Sequence, residues 1–270
     1  MSAILQTREV AKPWGREKLP APFNAARPEK IGEVWFEPPP ALDQLLIKYI
    51  FTDENLSVQV HPTNAQTEAK GLGRQGKEEC WLVLDAKPGA VLGIGFNHHV
   101  DAEAMRAAAL DGSIEQLMTW YPVNRGDFFY IPANTVHAIG AGISVIEVQQ
   151  NSDITYRLYD YGRPRELHLD DGMAVAKGEP YPPSLHYHLS ERGAAQLVDG
   201  PYFRLVRVAG APDVATSAHY AIGALLVLPL DGEVRIAGET IAPGQCGLAD
   251  RLADVEFADG GLSLIAQPIT

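Results

Sequence analysis

The sequence predicts a mainly β protein: an antiparallel sandwich or barrel with a small helical insertion, followed by a second, smaller β unit. Short runs rich in β-branched and aromatic residues recur at 45–51, 56–60, 79–84, 90–94, 128–131, 143–149 and 155–159. Proline and glycine punctuate them, as at Pro88-Gly89 and Arg125-Gly126-Asp127. Strands this short and this closely spaced suit antiparallel sheets that pack on each other or close into a barrel.

One stretch departs from the strand pattern. Residues 101–110 and 113–120 are alanine-rich or amphipathic, and each opens on a good helix N-cap residue, Asp101 or Ser113. Asp111-Gly112 separates them, so two helices are expected there. From 170 to about 183 the chain becomes rich in glycine and proline, ending in Tyr181-Pro182-Pro183. A boundary is therefore expected between units 1–170 and 171–270. Strand patterns resume at 203–208, 224–229, 233–236, 255–257 and 262–265, with turns at Leu230-Asp231-Gly232 and Ala242-Pro243-Gly244.

Composition narrows the function class. A chain of 270 residues with 46% hydrophobic and 21% charged residues can bury a sizeable core and is neither disordered nor fibrous. Its net charge of −12 excludes a protein built to wrap nucleic acid. An anionic small substrate stays open, because a few cations focused in one pocket can outvote the surface. Cys80 and Cys246 match no disulfide framework or metal pair and are expected as reduced structural thiols. Residues 1–13 hold no apolar signal core and no stretch is long enough to span a bilayer, so a cytoplasmic protein without a membrane partner is expected.

Four segments carry chemistry. In Ser57-Val58-Gln59-Val60-His61-Pro62, strand alternation puts Ser57, Gln59 and His61 on one face and both valines on the other. In Lys77-Glu78-Glu79-Cys80-Trp81, Lys77 and Glu79 share a face as the chain enters an apolar run, where a carboxylate needs a cation or metal. Residues 126–137 read as strand, turn, strand; Asn134 suits a positive φ and His137 begins the second strand. Residues 143–157 bring Glu147 and Gln149 to one face, then a turn at Asn151-Ser152-Asp153 before Arg157. Each segment alone also fits an ordinary strand with a wet polar face. Together Gln59, His61, Glu79 and His137 form a nitrogen and oxygen donor set suited to Zn²⁺, with Fe²⁺ also open. Glu147 has the chemistry to move a proton and Arg157 that to stabilise an oxyanion.

In order and internal spacing these motifs resemble the type I mannose-6-phosphate isomerases, in their short bacterial form, over roughly residues 30–166. The resemblance implies a cupin fold, a jelly-roll β-barrel; the C-terminal unit, with no histidine–carboxylate constellation around Pro243-Gly244-Gln245, is expected to be a degenerate cupin lacking a metal site. It implies one Zn²⁺ per chain on Gln59, His61, Glu79 and His137, and a catalytic pocket holding Lys77, Glu147 and Arg157. Lys48 and Ser57 fall on positions associated with the substrate phosphate, and Arg163 falls where longer enzymes carry a phosphate-binding lysine. The implied activity interconverts mannose 6-phosphate and fructose 6-phosphate through a cis-enediol. The implied partner is a small sugar phosphate, and the implied state a monomer or weak homodimer.

The chain departs from the pattern at Phe36-Glu37-Pro38-Pro39-Pro40, where relatives usually carry a small-residue, His-Pro-like stretch. That keeps two competing readings: an isomerase for another sugar or sugar phosphate, and a non-catalytic, metal-containing sugar-phosphate binder. An iron oxygenase fits Gln59 and the phosphate positions poorly. His186 and His188 are expected in a solvated loop.

Overall fold

The structure of the protein, a computed structural model, describes residues 3–23 and 28–269. Its first half begins with β1 (Thr7–Arg16), β2 (Ile31–Phe36), β3 (Leu45–Phe51), β4 (Val58–Val60) and the short helix α1 (Asn64–Ala69). Then come β5 (Glu79–Ala86), β6 (Val91–Phe96), α2 (Ala102–Asp111), α3 (Ile114–Leu117) and β7 (Met118–Pro122). β8 (Asp127–Ile131), β9 (His137–Ile139), β10 (Ile143–Gln150), β11 (Tyr156–Tyr159), α4 (Leu169–Val175) and β12 (His186–His188) follow. The second half holds β13 (Ala195–Asp199), β14 (Phe203–Ala209), α5 (Val214–His219), β15 (Leu225–Asp231) and β16 (Val234–Ile236). It ends with β17 (Glu239–Ile241), β18 (Gly247–Ala249), β19 (Val255–Phe257) and β20 (Leu262–Pro268).

Two sheets build the first half. One runs β1-β2-β3-β10-β5-β8-β12 and the other β11-β4-β9-β6-β7, with every pairing antiparallel. Ile50, Trp81 and Val145 from the first sheet pack with Leu92, Ile94 and Ile139 from the second in one apolar core. The second half repeats the plan on a smaller scale, with β13-β14-β20-β15-β18 and β17-β16-β19. Past residue 170 the chain still adds most of α4 and all of β12 to the first half before β13 begins. Among the described residues, no helix is long and apolar enough to cross a membrane.

The helical layer explains the unusual polarity of β4. Val58 and Val60, both fully buried, join Met105, Ala108 and Ala109 of α2 in a core outside the barrel. Burying each valine stabilises this layer by about 1.5–3 kcal/mol. Ser57, Gln59 and His61 are thereby turned toward the barrel interior rather than toward water. The expected start of α2 holds, since the Asp101 carboxylate accepts the Ala104 N–H at 2.8 Å.

The helix expected over 113–120 does not form as such. Only Ile114–Leu117 is helical, the Ser113 side chain makes no cap, and Met118–Pro122 pairs with β6 instead. Thr119, Trp120 and Tyr121 are strand-forming residues, and an open sheet edge beside them outweighs the weak amphipathic signal. His186 and His188 also depart from the expected loop, lying on β12 against β8. There His186 stacks on Phe129 with ring centres 5.2 Å apart.

A close backbone approach fixes the entry to β5. A Cβ on Gly76 would lie 2.3 Å from the Pro62 carbonyl oxygen, while the next residue, Lys77, donates its N–H to that same oxygen at 3.0 Å. Gly76→Ala is expected to lower stability by about 1–3 kcal/mol. It should also weaken metal retention, because it drives the segment carrying Lys77 and Glu79 away from His61. Thermal unfolding and metal analysis read both effects; a wild-type melting temperature would count against this account.

Candidate active site

Cross-strand register assembles the site from residues far apart in sequence. On the first sheet, Glu147 of β10 lies opposite Lys48 of β3 on one side and Trp81 of β5 on the other. On the second, Gln59 of β4 lies opposite His137 of β9 and Arg157 of β11. Since side chains directly opposite across a ladder approach closely, each sheet delivers a row of three polar groups. The two rows meet inside the barrel.

At that meeting point His61, Glu79 and His137 offer ligand atoms that all lie within 4.8 Å of one another, with all three side chains buried. His61 is anchored by Asn134, which has the positive φ expected of it, 72°, and whose N–H donates to the His61 carbonyl at 2.8 Å. The helix after His61-Pro62 is pinned by a reciprocal cap between Thr63 and Gln66. Although Thr-x-x-Gln is legible in the sequence, the expectation omitted it.

The protonation pattern suits a cation. Nδ1 of His61 lies 2.9 Å from the Ile154 carbonyl oxygen and Nδ1 of His137 lies 2.9 Å from that of Thr135. A carbonyl can only accept, so each Nδ1 carries the proton and each Nε2 presents a lone pair inward. Glu79 Oε1 faces His137 Nε2 at 3.2 Å, yet accepts no hydrogen bond. Two lone-pair atoms held face to face in a dry site are repulsive until a cation joins them.

Burial, reinforced by the Lys77 charge, pushes both histidines down, His137 to about 3, so both are neutral imidazoles at neutral pH. Burial and the neighbouring Glu147 raise Glu79 to about 7, against the pull of Lys77. The residues present therefore fit a divalent ion with nitrogen and oxygen donors. Gln59 reaches the same place with its amide N–H, 3.2 Å from His137 Nε2; a half-turn of the amide presents its oxygen instead.

Lys77 contacts both halves of the site. Its ammonium bonds to the Glu79 carboxylate, donates to His61 Nε2 at 3.0 Å, and stands 3.5 Å from Glu147. Glu147 also pairs with Lys48 at 2.9 Å and accepts the Trp81 indole N–H at 3.0 Å. Burial works to protonate Glu147, but Lys48 and Lys77 outweigh it and hold the carboxyl well below its usual range. Burial likewise works to discharge Lys48, and Glu147 followed by Glu33 more than reverses that.

Lys48, Ser57, Gln59, Lys77, Glu147 and Arg157 line one cavity of about 310 Å³, in the size range of small-molecule sites. The triad itself is not part of the lining, and Lys77 and Gln59 stand between it and the open space. Burial lowers the Arg157 pKa, and the nearby Arg165 charge adds to this. Its Nη1 donates to the Glu166 carbonyl at 2.7 Å, while its buried Nε has no acceptor.

Arg163 is not brought to this cavity. Its guanidinium bonds to Asp160 and to the Asn55 carbonyl, each at 2.7 Å. Asp160, buried at 2% exposure, holds Arg165 as well, and Arg165 does line the cavity. Sequence reasoning passed over Arg165, Trp81 and Trp35. A readable signal existed for Trp81, which shares a strand face with Glu79. Trp35 lies beneath two cations, Arg8 at 4.3 Å and Lys48 at 5.2 Å from its ring centre.

A search against family models finds no match. The chain is 35% identical over 215 residues to the mannose-6-phosphate isomerase ManA of Bacillus subtilis, covering 75% of this chain and 67% of that protein. It is 39% identical over 204 residues to the mannose-6-phosphate isomerase of Streptococcus mutans, covering 71% of this chain and 62% of that one. Among solved structures, the mannose 6-phosphate isomerase from Bacillus subtilis superposes with a TM-score of 0.78 at 24% identity, over 99% of this chain and 100% of that one. A variant of the phosphomannose isomerase from Salmonella typhimurium gives 0.70 at 15% identity, over the whole of both chains. These likenesses establish the cupin fold, and the sequence relatives establish the lineage: the chain belongs to the type I mannose-6-phosphate isomerase family of aldose–ketose isomerases.

Proposed function

We propose that the protein interconverts mannose 6-phosphate and fructose 6-phosphate through a cis-enediol, using one zinc ion held by Gln59, His61, Glu79 and His137. In this reading residues 1–170 carry the chemistry and 171–270 form a smaller unit without a metal. The observation that supports it most is the contact of two kinds of group through Lys77, which lines the cavity and touches the buried triad behind it. A buried donor triad with inward lone pairs sits beside Lys77, Glu147 and Arg157, and acid–base groups next to such a triad serve a reaction rather than simple binding.

When bound, zinc supplies Lewis-acid polarisation of the sugar carbonyl. The remaining work falls to side chains. Glu147 and Lys77, 3.5 Å apart, form the pair that takes a proton from one carbon and returns it to the next. Arg157, with its Nε unpaired, stabilises the negative charge that develops on the enediolate oxygen. Lys48 and Ser57 take the phosphate, joined by Arg165 from the cavity wall, while Arg163 supports Arg165 through their shared Asp160. Anchoring the phosphate away from the reacting carbons turns binding energy into orientation.

A coupled assay on EDTA-treated protein, with and without added Zn²⁺, tests the reading. Zinc-dependent formation of fructose 6-phosphate is expected. Silence in both arms, from folded protein with confirmed zinc reloading, would overturn it. In the same assay Arg157→Ala should retain zinc and lose turnover by about 10²–10³-fold. Near-normal turnover in that variant would remove the oxyanion role.

A further inference from the structure

A second cavity, of about 720 Å³, opens between the outer face of β5 and the second half of the molecule. Its apolar wall includes Leu82 and Leu84 of β5 and Leu189 from the segment after β12. Three arginines also line it: Arg125, Arg192 and Arg207. Two carboxylates, Glu191 and Asp231, line it as well, so the arginines outnumber the acids here by one in a chain whose net charge is −12.

The arginines differ in how they are satisfied. Arg192 is paired with Asp231 at 3.2 Å. Arg207 is buried, 4% exposed, and has no carboxylate partner among the described residues. Its Nε donates to the Gly193 carbonyl and its Nη2 to the Ser190 carbonyl, each at 2.9 Å, with the Ser190 hydroxyl a longer acceptor at 3.5 Å, and Nη1 has no acceptor among the described residues. Arg125 is exposed on the turn before β8 and makes no hydrogen bond or ion pair among the described residues. A buried guanidinium held by neutral acceptors alone is costly, and an anion beside it offsets that cost. A second free guanidinium on the same cavity supplies the rest of an anion clamp. The leucines then suit a carbon skeleton.

We propose that this cleft binds a small organic anion with an apolar body, its carboxylate or phosphate group held between Arg207 and Arg125. The site is separate from the isomerase cavity. The two lie on opposite faces of β5, which carries Glu79 and Trp81 toward the barrel and Leu82 toward the cleft.

Calorimetric titration of the full chain with octanoate, octyl phosphate and octanol tests this. One or both anions are expected to bind with 1:1 stoichiometry, and at least about tenfold more tightly than the alcohol. Preference between octanoate and octyl phosphate identifies the head group. Arg125→Ala, at an exposed and unpartnered residue, should weaken anion binding about tenfold and leave isomerase kinetics unchanged. Arg207→Lys should weaken it as well, and Arg235→Ala, at the exposed residue of β16, should not. Anions that bind no better than octanol would overturn the proposal. Binding to Arg125→Ala and Arg207→Lys at wild-type affinity would do the same.

Discussion

His137→Ala is expected to lose bound metal and turnover together. His137 contributes the inward Nε2 that faces Glu79 Oε1 at 3.2 Å, so its removal takes one of three close donors from a fully buried set. Losing even an outer partner of a metal ligand costs about 10–100-fold in affinity, so losing a ligand should cost more. Lewis-acid stabilisation is worth several kcal/mol, which corresponds to a turnover loss of about 10³-fold or more. Metal content after dialysis and the coupled assay read the two losses separately. The contrast with Arg157→Ala is the informative part, since that variant should stay loaded. A His137→Ala protein that is metal-free and still active would break the assignment of the site.

Glu147→Gln is expected to damage both stability and turnover. The substitution keeps the volume but removes the carboxylate that Lys48 meets at 2.9 Å and Lys77 at 3.5 Å. Leaving a buried charge without its partner costs about 3–5 kcal/mol. If Glu147 also shuttles the proton, turnover falls by about 10²–10⁴-fold.

Between neutral pH and pH 10 the Lys48 contribution to stability should change from flat in the wild type to rising in the variant. In the wild type, burial opposes the Lys48 charge but Glu147 and Glu33 hold its pKa above the usual value. Its contribution is therefore fully present below about pH 10.4 and is lost as pH rises toward the folded pKa. In the variant only Glu33 and Glu79 oppose burial, and the folded pKa is expected to fall below the unfolded one. The unfolded chain then binds more protons, and the Lys48 contribution rises with pH up to about 10.4. Melting curves between neutral pH and pH 10 compare the two slopes. Parallel curves would mean that Glu147 does not hold Lys48.

Local patterns made much of this site legible. Alternation along Ser57–His61 gave a polar face opposite Val58 and Val60, and the structure turns that face into the barrel because the valines are taken up by α2. Asn134 was readable as a positive-φ residue because few residues tolerate that conformation. β3 was readable to the residue because its apolar run is bounded by turn-forming chain. Residues 118–120 read as helix because helix and strand preferences there are nearly balanced, and only the free edge of β6 decides between them.

What the sequence by itself determined is therefore the strand-rich class, the polar face of Ser57–His61 and the positive-φ turn at Asn134, each of which depends on residues a few positions apart. The tertiary structure alone decided that Lys48, Glu147 and Trp81 stand in one row, because β-ladder register joins residues almost a hundred positions apart. It also decided that Arg165 reaches the cavity while Arg163 is spent on Asp160 and Asn55. Two arginines two positions apart in one loop have the same chemistry, and only the direction each guanidinium is held separates their roles.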